Sequence, residues 1–473
     1  MAAGRVQVGF QVPIGVLMIS KVTVGKELKF KLTSKQQQAT DGAGGRVKER
    51  KHCSTNRCIV VVPAAVSLVL FLTALAASNV YITFPNQPFT FPRPFSSRAR
   101  RGEGCDIFSG DWVPDPDAPY YTNDTCSVIH EHYDCIKYGK PDLGFVKWRW
   151  QPDGCDLPRF DPWRFLDMMR GKSIAFVGDS LARNHKDSLI CLLTRAAEPK
   201  PSWPSSKQTV YYYGEYNFTV INFWAPYLVR HEQIDEDGPA HTGLWNLYLD
   251  EPDSVWAAHV AELDYAVVSA SSWFYRPSML YEAGKIVGCH YCLLANVTDL
   301  TLRYALRMAT RAALRALSGA DDRFRGTAML RTVDPSQYEG GEWNKDGNCV
   351  RMRPNRRGEK RLEGFEFDFR KLQVLILCFF GFARLPVYIT TASAQMEEFA
   401  AAEKAAVDAG SKVRMMLMDT TAAMILRADA HPSKYRGWTP EKHFTLHNDC
   451  VHWCLPGAID TWNDMLLHML MSA

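Results

Sequence analysis

The feature that most constrains this chain's fold is a strand that runs straight into a helix. Ser173-Ile174-Ala175-Phe176-Val177 is a short apolar run, Gly178-Asp179-Ser180 follows as a turn, and residues 180–193 have helical spacing with Leu181, Ser188, Leu189 and Leu192 near one face. A strand that is apolar without alternation is buried on both faces, the condition of a parallel sheet. The same texture continues along the chain. Tyr265-Ala266-Val267-Val268-Ser269, residues 326–333 and residues 413–418 read as further buried strands, and residues 210–225 read as an aromatic hairpin. Residues 300–317 and 396–409 read as helices, the first strongly amphipathic. Strands alternating with helices predict an α/β fold with a mainly parallel sheet and helices on both faces. No internal repeat is visible.

The turn also carries chemistry. A serine at a strand-to-helix junction sits at the C-terminal edge of the sheet, where open α/β folds place their sites. Its own N–H, at a helix N-terminus, is a donor for an oxyanion. A serine hydroxyl needs a base to take its proton. Near the C-terminus, Asp449-Cys450-Val451-His452-Trp453-Cys454 supplies one, with Asp449 three residues before His452 and able to fix its tautomer. The predicted triad is therefore Ser180, His452 and Asp449, in the chain order Ser, Asp, His. Gly178 permits a tight approach, and Asp179, Arg183 and Asn184 flank the serine as candidate substrate or oxyanion groups. Asn217 is a further oxyanion candidate, but it also heads a glycosylation sequon, and the two roles exclude each other. Trp273, just after the strand ending at Ser269, is a candidate wall of a sugar groove. Cys450 and Cys454 flank His452 and read as disulfides that pin its loop. The competing reading is zinc held by both cysteines and His452, but C-x-H-x-C is not a usual zinc spacing, and no metal is expected.

Of 473 residues, 22% are charged and 47% apolar, ordinary for a globular protein. The 13 Trp and 19 Tyr suit either an aromatic core or sugar stacking. The net charge of +4 hides an asymmetry. Residues 1–57 hold eleven Lys/Arg against three Asp/Glu, a surplus of eight, which leaves the rest of the chain at −4. That basic tail directly precedes twenty uncharged residues, 58–77, long enough to span a bilayer. Positive charge on the N-terminal flank keeps that side cytosolic, so the tail is read as membrane-flanking and no nucleic-acid partner is expected. The expected organisation is a disordered tail (1–57), a type II signal anchor (58–78), a Pro- and Arg-rich luminal stem (79–104), a Cys-rich lobe (105–158) and a catalytic domain (159–473). Sequons at Asn123, Asn217 and Asn296 all lie beyond the anchor. So do eleven of the 13 cysteines, which suits an oxidising lumen.

Several long motifs carry a family resemblance. Gly104-Cys105-Asp106-Ile107-Phe108-Ser109-Gly110-Asp111-Trp112, Lys147-Trp148-Arg149-Trp150-Gln151-Pro152, Cys155-Asp156-Leu157-Pro158-Arg159-Phe160, Val177-Gly178-Asp179-Ser180 and Asp449 through Gly457 resemble the plant trichome birefringence-like proteins. These are Golgi polysaccharide O-acetyltransferases with a GDSL/SGNH-related domain. The stretch from Tyr120 to His132 most resembles the xyloglucan and mannan O-acetyltransferase branch. The resemblance implies the same triad and a double displacement in which Ser180 is acetylated and a sugar hydroxyl then takes the acetyl group. It also implies the disulfides Cys105–Cys155, Cys126–Cys191, Cys135–Cys454 and Cys349–Cys450, leaving Cys289, Cys292 and Cys378.

The expected activity is acetyl transfer to hemicellulose at a Golgi membrane, with xyloglucan galactose as the first acceptor and mannan or xylan as alternatives. The donor, acetyl-CoA or another acetyl compound, acts as a co-substrate, and a membrane protein that supplies it is a candidate partner. An acetylesterase with the same triad and a non-catalytic polysaccharide-binding protein are the rival readings. Two departures stand out. Family members usually have Gly-His before the Trp where this chain has Ser271-Ser272. The apolar run Val374-Leu375-Ile376-Leu377-Cys378-Phe379-Phe380-Gly381-Phe382 replaces a polar helix, which suggests retained intron sequence within residues 365–391.

Overall fold

The structure, a computed structural model, describes residues 106–234, 243–292, 294–318, 323–332, 334, 336–360, 413–437 and 448–472. The expected tail, anchor and stem, the apolar run at 374–382 and the helix expected at 396–409 lie outside them. Among the described residues no helix is long and apolar enough to cross a membrane.

The strands are β1 Gly110–Pro114, β2 Trp148–Pro152, β3 Ser173–Gly178, β4 Lys200–Ser205, β5 Gln208–Tyr213, β6 Phe218–Trp224, β7 Val229–Gln233, β8 Trp245–Pro252, β9 Tyr265–Ser269, β10 Ser278–Glu282, β11 Lys285–His290, β12 Thr327–Arg331 and β13 Arg414–Met418. The helices are α1 Pro162–Met168, α2 Ser180–Leu193, α3 Ser254–Ala257, α4 Thr301–Ala316, α5 Thr421–Met424 and α6 Asp460–Met471. A seven-stranded sheet runs β13-β12-β9-β3-β6-β5-β4. Its members from β13 to β6 are parallel; the expected aromatic hairpin is β5 and β6, and antiparallel β5 and then β4, a strand the sequence reading did not anticipate, extend the sheet. From β3 the chain goes first to β6 on one side, then to β9 on the other. The C-terminal end of β3 is thus a switch point, where the crevice of an open sheet forms.

The unbroken apolar runs are explained by what covers them. Ile174 and Phe176 point into one core with α2 and α6, while Ala175 and Val177 point into the other with α4. Replacing Phe176, fully buried, with Ala should cost about 3–5 kcal/mol. Two expectations need correction. The α4 face is shared with a four-stranded mixed sheet, β11-β10-β8-β7, so helices alone do not cover that side. And α2 is buried all round apart from Arg183, instead of presenting one apolar face. The cause is α6, which covers the side that would otherwise face water. Its Asp460 and Asn463 both bond Ser188 of α2, and the Lys186–Asp187 ion pair is enclosed with them.

Residues 106–158 share the α2 and α6 core. Trp112 of β1 and Trp150 of β2 are paired in register and meet edge to face. Tyr120 and Tyr121 donate to Asp464 and Asp460 of α6. The disulfides Cys126–Cys191 and Cys135–Cys454 tie this segment to α2 and to the C-terminal loop, and Cys349–Cys450 closes that loop from its other end. These three are the pairs the resemblance implied. Cys155 is disulfide-bonded too, while Cys105 lies outside the described residues. Cys289 and Cys292, left over in the sequence reading, bond to each other.

Candidate active site

The β3-to-α2 turn is shaped by three residues. A Cβ on Gly178 would lie 1.7 Å from the Ser269 carbonyl oxygen, so only glycine lets β3 end so close to β9. Asp179 caps α2, accepting from the Leu181 N–H at 2.9 Å. Ser180 is then the first helical residue, and its N–H is among the donors that a helix leaves without an intrahelical partner.

The structure brings Asp449 and His452 to this serine from the far end of the chain. His452 Nε2 is 2.6 Å from Ser180 Oγ, and His452 Nδ1 is 2.8 Å from Asp449 Oδ2. An ionised carboxylate can only accept, so Nδ1 carries the proton and Nε2 is left to take the serine's. Burial pushes the Asp449 carboxyl up, but the charge and hydrogen bonds of His452 and the Arg436 guanidinium outweigh it and hold the group well below the usual carboxylate range. Asp449 Oδ1 also accepts the backbone N–H of Val451 and His452, which curls the three residues into a turn.

Many contacts fix that loop. Both atoms of the buried Asn184 amide bond the Trp453 backbone, at 2.8 Å to its N–H and 3.3 Å to its carbonyl. His431 Nδ1 donates to the His452 carbonyl at 2.7 Å while its ring stacks on Trp453. Burial pushes His431 down to about 3, so it stays neutral. Ser433 and Asp449 exchange backbone hydrogen bonds, and Arg436 donates to Asp449 Oδ2 at 3.1 Å. Lys140 donates to the carbonyls of Asp429 and His431 from below. Tyr133 packs its ring 5.4 Å from that of His452 and donates to the Ser180 carbonyl. Cys450 and Cys454 are both in disulfides, so neither is a thiolate and the zinc alternative is overturned.

The remaining candidates sort by position. Asp179 Oδ2 accepts from the N–H of Ser271 and Ser272 and from the Ser272 hydroxyl, so it holds the loop after β9 and does not face a substrate. Asn184 is likewise a clamp on the base loop. Asn217 is corrected outright. Its strand, β6, lies parallel to β3 with Thr219 opposite Ser173 and Trp224 opposite Gly178, which puts Asn217 at the other end of the sheet, roughly 23 Å of strand from the end that carries Ser180. The reason it looked plausible is that a hairpin's two ends cannot be told apart before the strand direction is known. As sequon residues, Asn217 and Asn296 are exposed and Asn123 is half-buried. Arg183 and Trp273 do border the site. Trp224 is opposite Gly178 in the β3–β6 register, its ring meets Trp273 edge to face at 5.3 Å, and the Arg183 guanidinium lies over it at 5.6 Å. Tyr133, His431 and Arg436 were missed, since no short-range pattern links them to the triad.

Two family descriptions match the chain. "GDSL/SGNH-like Acyl-Esterase family found in Pmr5 and Cas1p" (PC-Esterase) covers residues 157–469, and "PMR5 N terminal Domain" covers residues 103–156. Protein trichome birefringence-like 19 of Arabidopsis thaliana is 47% identical over 374 residues, 78% of this chain and 81% of that protein. Xyloglucan O-acetyltransferase 4 of Populus trichocarpa is 38% identical, over 77% of this chain and 81% of its own length. Xyloglucan O-acetyltransferase 2 of Arabidopsis thaliana is 35% identical, over 81% and 88% respectively. With Ser180, His452 and Asp449 in hydrogen-bond contact on an α/β sheet and these matches spanning the described fold, the chain belongs to the PC-esterase family of GDSL/SGNH-like acyl-esterases, among the trichome birefringence-like proteins.

Proposed function

We propose that this protein is a polysaccharide O-acetyltransferase that uses Ser180 as nucleophile, His452 as general base and acid, and Asp449 as the group that orients His452. The observation that carries this reading is the unbroken hydrogen-bond chain from Ser180 Oγ through His452 to the buried Asp449. As Ser180 Oγ attacks the acetyl carbonyl, its proton passes to His452 Nε2. The imidazolium is stabilised by Asp449 and returns that proton to the departing donor group. The acetyl group is left as an ester on Ser180. An acceptor hydroxyl then gives its proton to His452 and attacks the ester carbonyl, so the acetyl group moves to the sugar and Ser180 regains its hydrogen. The Ser180 N–H supports the oxyanion in both steps.

The acceptor we favour is xyloglucan, a substrate that several relatives carry in their names, and within it we propose a galactosyl hydroxyl. Mannan and xylan are the alternatives. The proposed setting is the Golgi membrane, with residues 58–78 as anchor and the catalytic domain in the lumen. The disulfides support an oxidising compartment. The donor is a soluble acetyl compound or one passed on by a membrane partner. The test is mass spectrometry of xyloglucan, mannan and xylan oligosaccharides after incubation with the protein and an acetyl donor. Acetylated xyloglucan is the expected product. Acetate released without acetylated sugar would instead make the protein an esterase.

A further inference from the structure

Around the β3-to-α2 turn lie two guanidinium groups that form no ion pair among the described residues. Arg183 sits over Trp224, and its Nε and Nη2 reach only the neutral Tyr133 hydroxyl, both at 3.4 Å. Arg276 lies 3.6 Å over the ring of Trp273, the indole that meets Trp224 edge to face. Among the described residues the Arg276 guanidinium makes no hydrogen bond or ion pair. Both residues are half-buried. The nearby carboxylates are occupied: Asp179 has one oxygen on the Leu181 N–H and the other on Ser271 and Ser272, and Asp187, which also faces Arg183, is paired with Lys186. Burying a cation without a counter-charge is costly. At the mouth of a site, an anionic ligand can supply the missing counter-charge.

The geometry points to a site for a phosphate-type anion formed by Arg183 and Arg276 on the Trp224–Trp273 wall, and we infer that it holds the phosphate-bearing end of the acetyl donor. This rests on the transferase reading above and names the chemical class of its donor. A guanidinium stacked on an indole keeps its edge N–H groups free for bidentate contact with phosphate oxygens. The acceptor proposed above is a neutral polysaccharide and has no use for two such cations. A donor whose acetyl group hangs from a phosphate-bearing carrier does, and the wall leads from Trp224, opposite Gly178 two residues before Ser180, through Trp273 to Arg276, so a carrier anchored there has its acetyl end toward the nucleophile. An acidic sugar in the acceptor is the other source of an anion, and the test separates the two.

Inorganic pyrophosphate is the probe. Titrated calorimetrically into full-chain protein carrying Ser180→Ala, it should bind one to one and weaken as salt is raised. Adding Arg276→Ala should lower that affinity about tenfold or more, the loss expected when charged hydrogen bonds are removed. Arg276→Lys keeps the charge but loses the fork, and it should fall between, which preserves the test if the alanine variant misfolds. In steady state, pyrophosphate should compete with the acetyl donor and not with the oligosaccharide. No binding at millimolar pyrophosphate, or equal binding with and without Arg276, overturns the site. Competition with the oligosaccharide overturns its assignment to the donor. Arg276-dependent binding in a protein that never acetylates sugar supports the site while refuting the transferase reading, so the two failures are distinguishable.

Discussion

Asp449 is enclosed by protein and still ionised, because His452 and Arg436 share its second oxygen. Asp449→Asn should leave the loop folded but present the wrong hydrogen-bonding partner to His452 Nδ1. Acetyl transfer should fall about 10³-fold or more, in kcat and not in KM. The same residue sets a pH limit. Its folded value is depressed below the ordinary 3.8, so its stabilising effect is present above 3.8 and is lost as pH falls further. Thermal melts should show the wild type losing stability below about pH 4, with a weaker slope in Asp449→Asn. Asn184 makes a different kind of contribution. Asn184→Ala would orphan the buried Trp453 N–H at a cost of about 1–3 kcal/mol. It should reduce kcat by letting His452 drift from Ser180, while Asn184→Asp, which retains an acceptor for that N–H, should recover part of the loss.

At the scale of elements, the base loop is the piece to test. It is bounded by Cys450, bonded to Cys349, and Cys454, bonded to Cys135. Replacing both Cys349 and Cys450 with Ser should lower stability by about 2–5 kcal/mol in denaturant melts. It should also slow transfer more than it weakens substrate binding, since the loop holds the base and no substrate. The elements also mark what was readable in advance. Strands β3, β9, β12 and β13 were legible because burial on both faces leaves an unbroken apolar run. Strands β7, β8, β10 and β11 were not, because one face is wet and their alternation is irregular. Trp245 and Asn246, adjacent on β8, are both half-buried. Helix α2 was legible in extent but not in environment, since the covering helix α6 begins 267 residues after α2 ends.

At the scale of the molecule, residues at both ends of the described chain converge on one core, and its charge state is set by burial. Burial pushes Asp464 up to about 7 and Asp460 up to about 6, while Tyr120 and Tyr121 donate to them. A carboxyl with a raised folded value favours the folded state when protonated. That stability is complete below the unfolded value and is lost as pH rises through the folded one. Asp464→Asn, which keeps an acceptor for Tyr120 and for the Phe160 N–H, should therefore flatten the fall in melting temperature between pH 5 and pH 8 relative to wild type. The triad was legible as a whole because its members lie in two short motifs. Tyr133, His431 and Arg436 were not, because only the folded chain brings them together. The central claim is that Ser180 relays the acetyl group. It is tested most directly by acid-quenching the protein with an acetyl donor and mapping peptides by mass spectrometry, before and after adding xyloglucan oligosaccharide. The account predicts one acetyl group on the peptide containing Ser180, which disappears as acetylated sugar forms. Acetylated sugar produced without that label, or produced at the wild-type rate by Ser180→Ala, would contradict it.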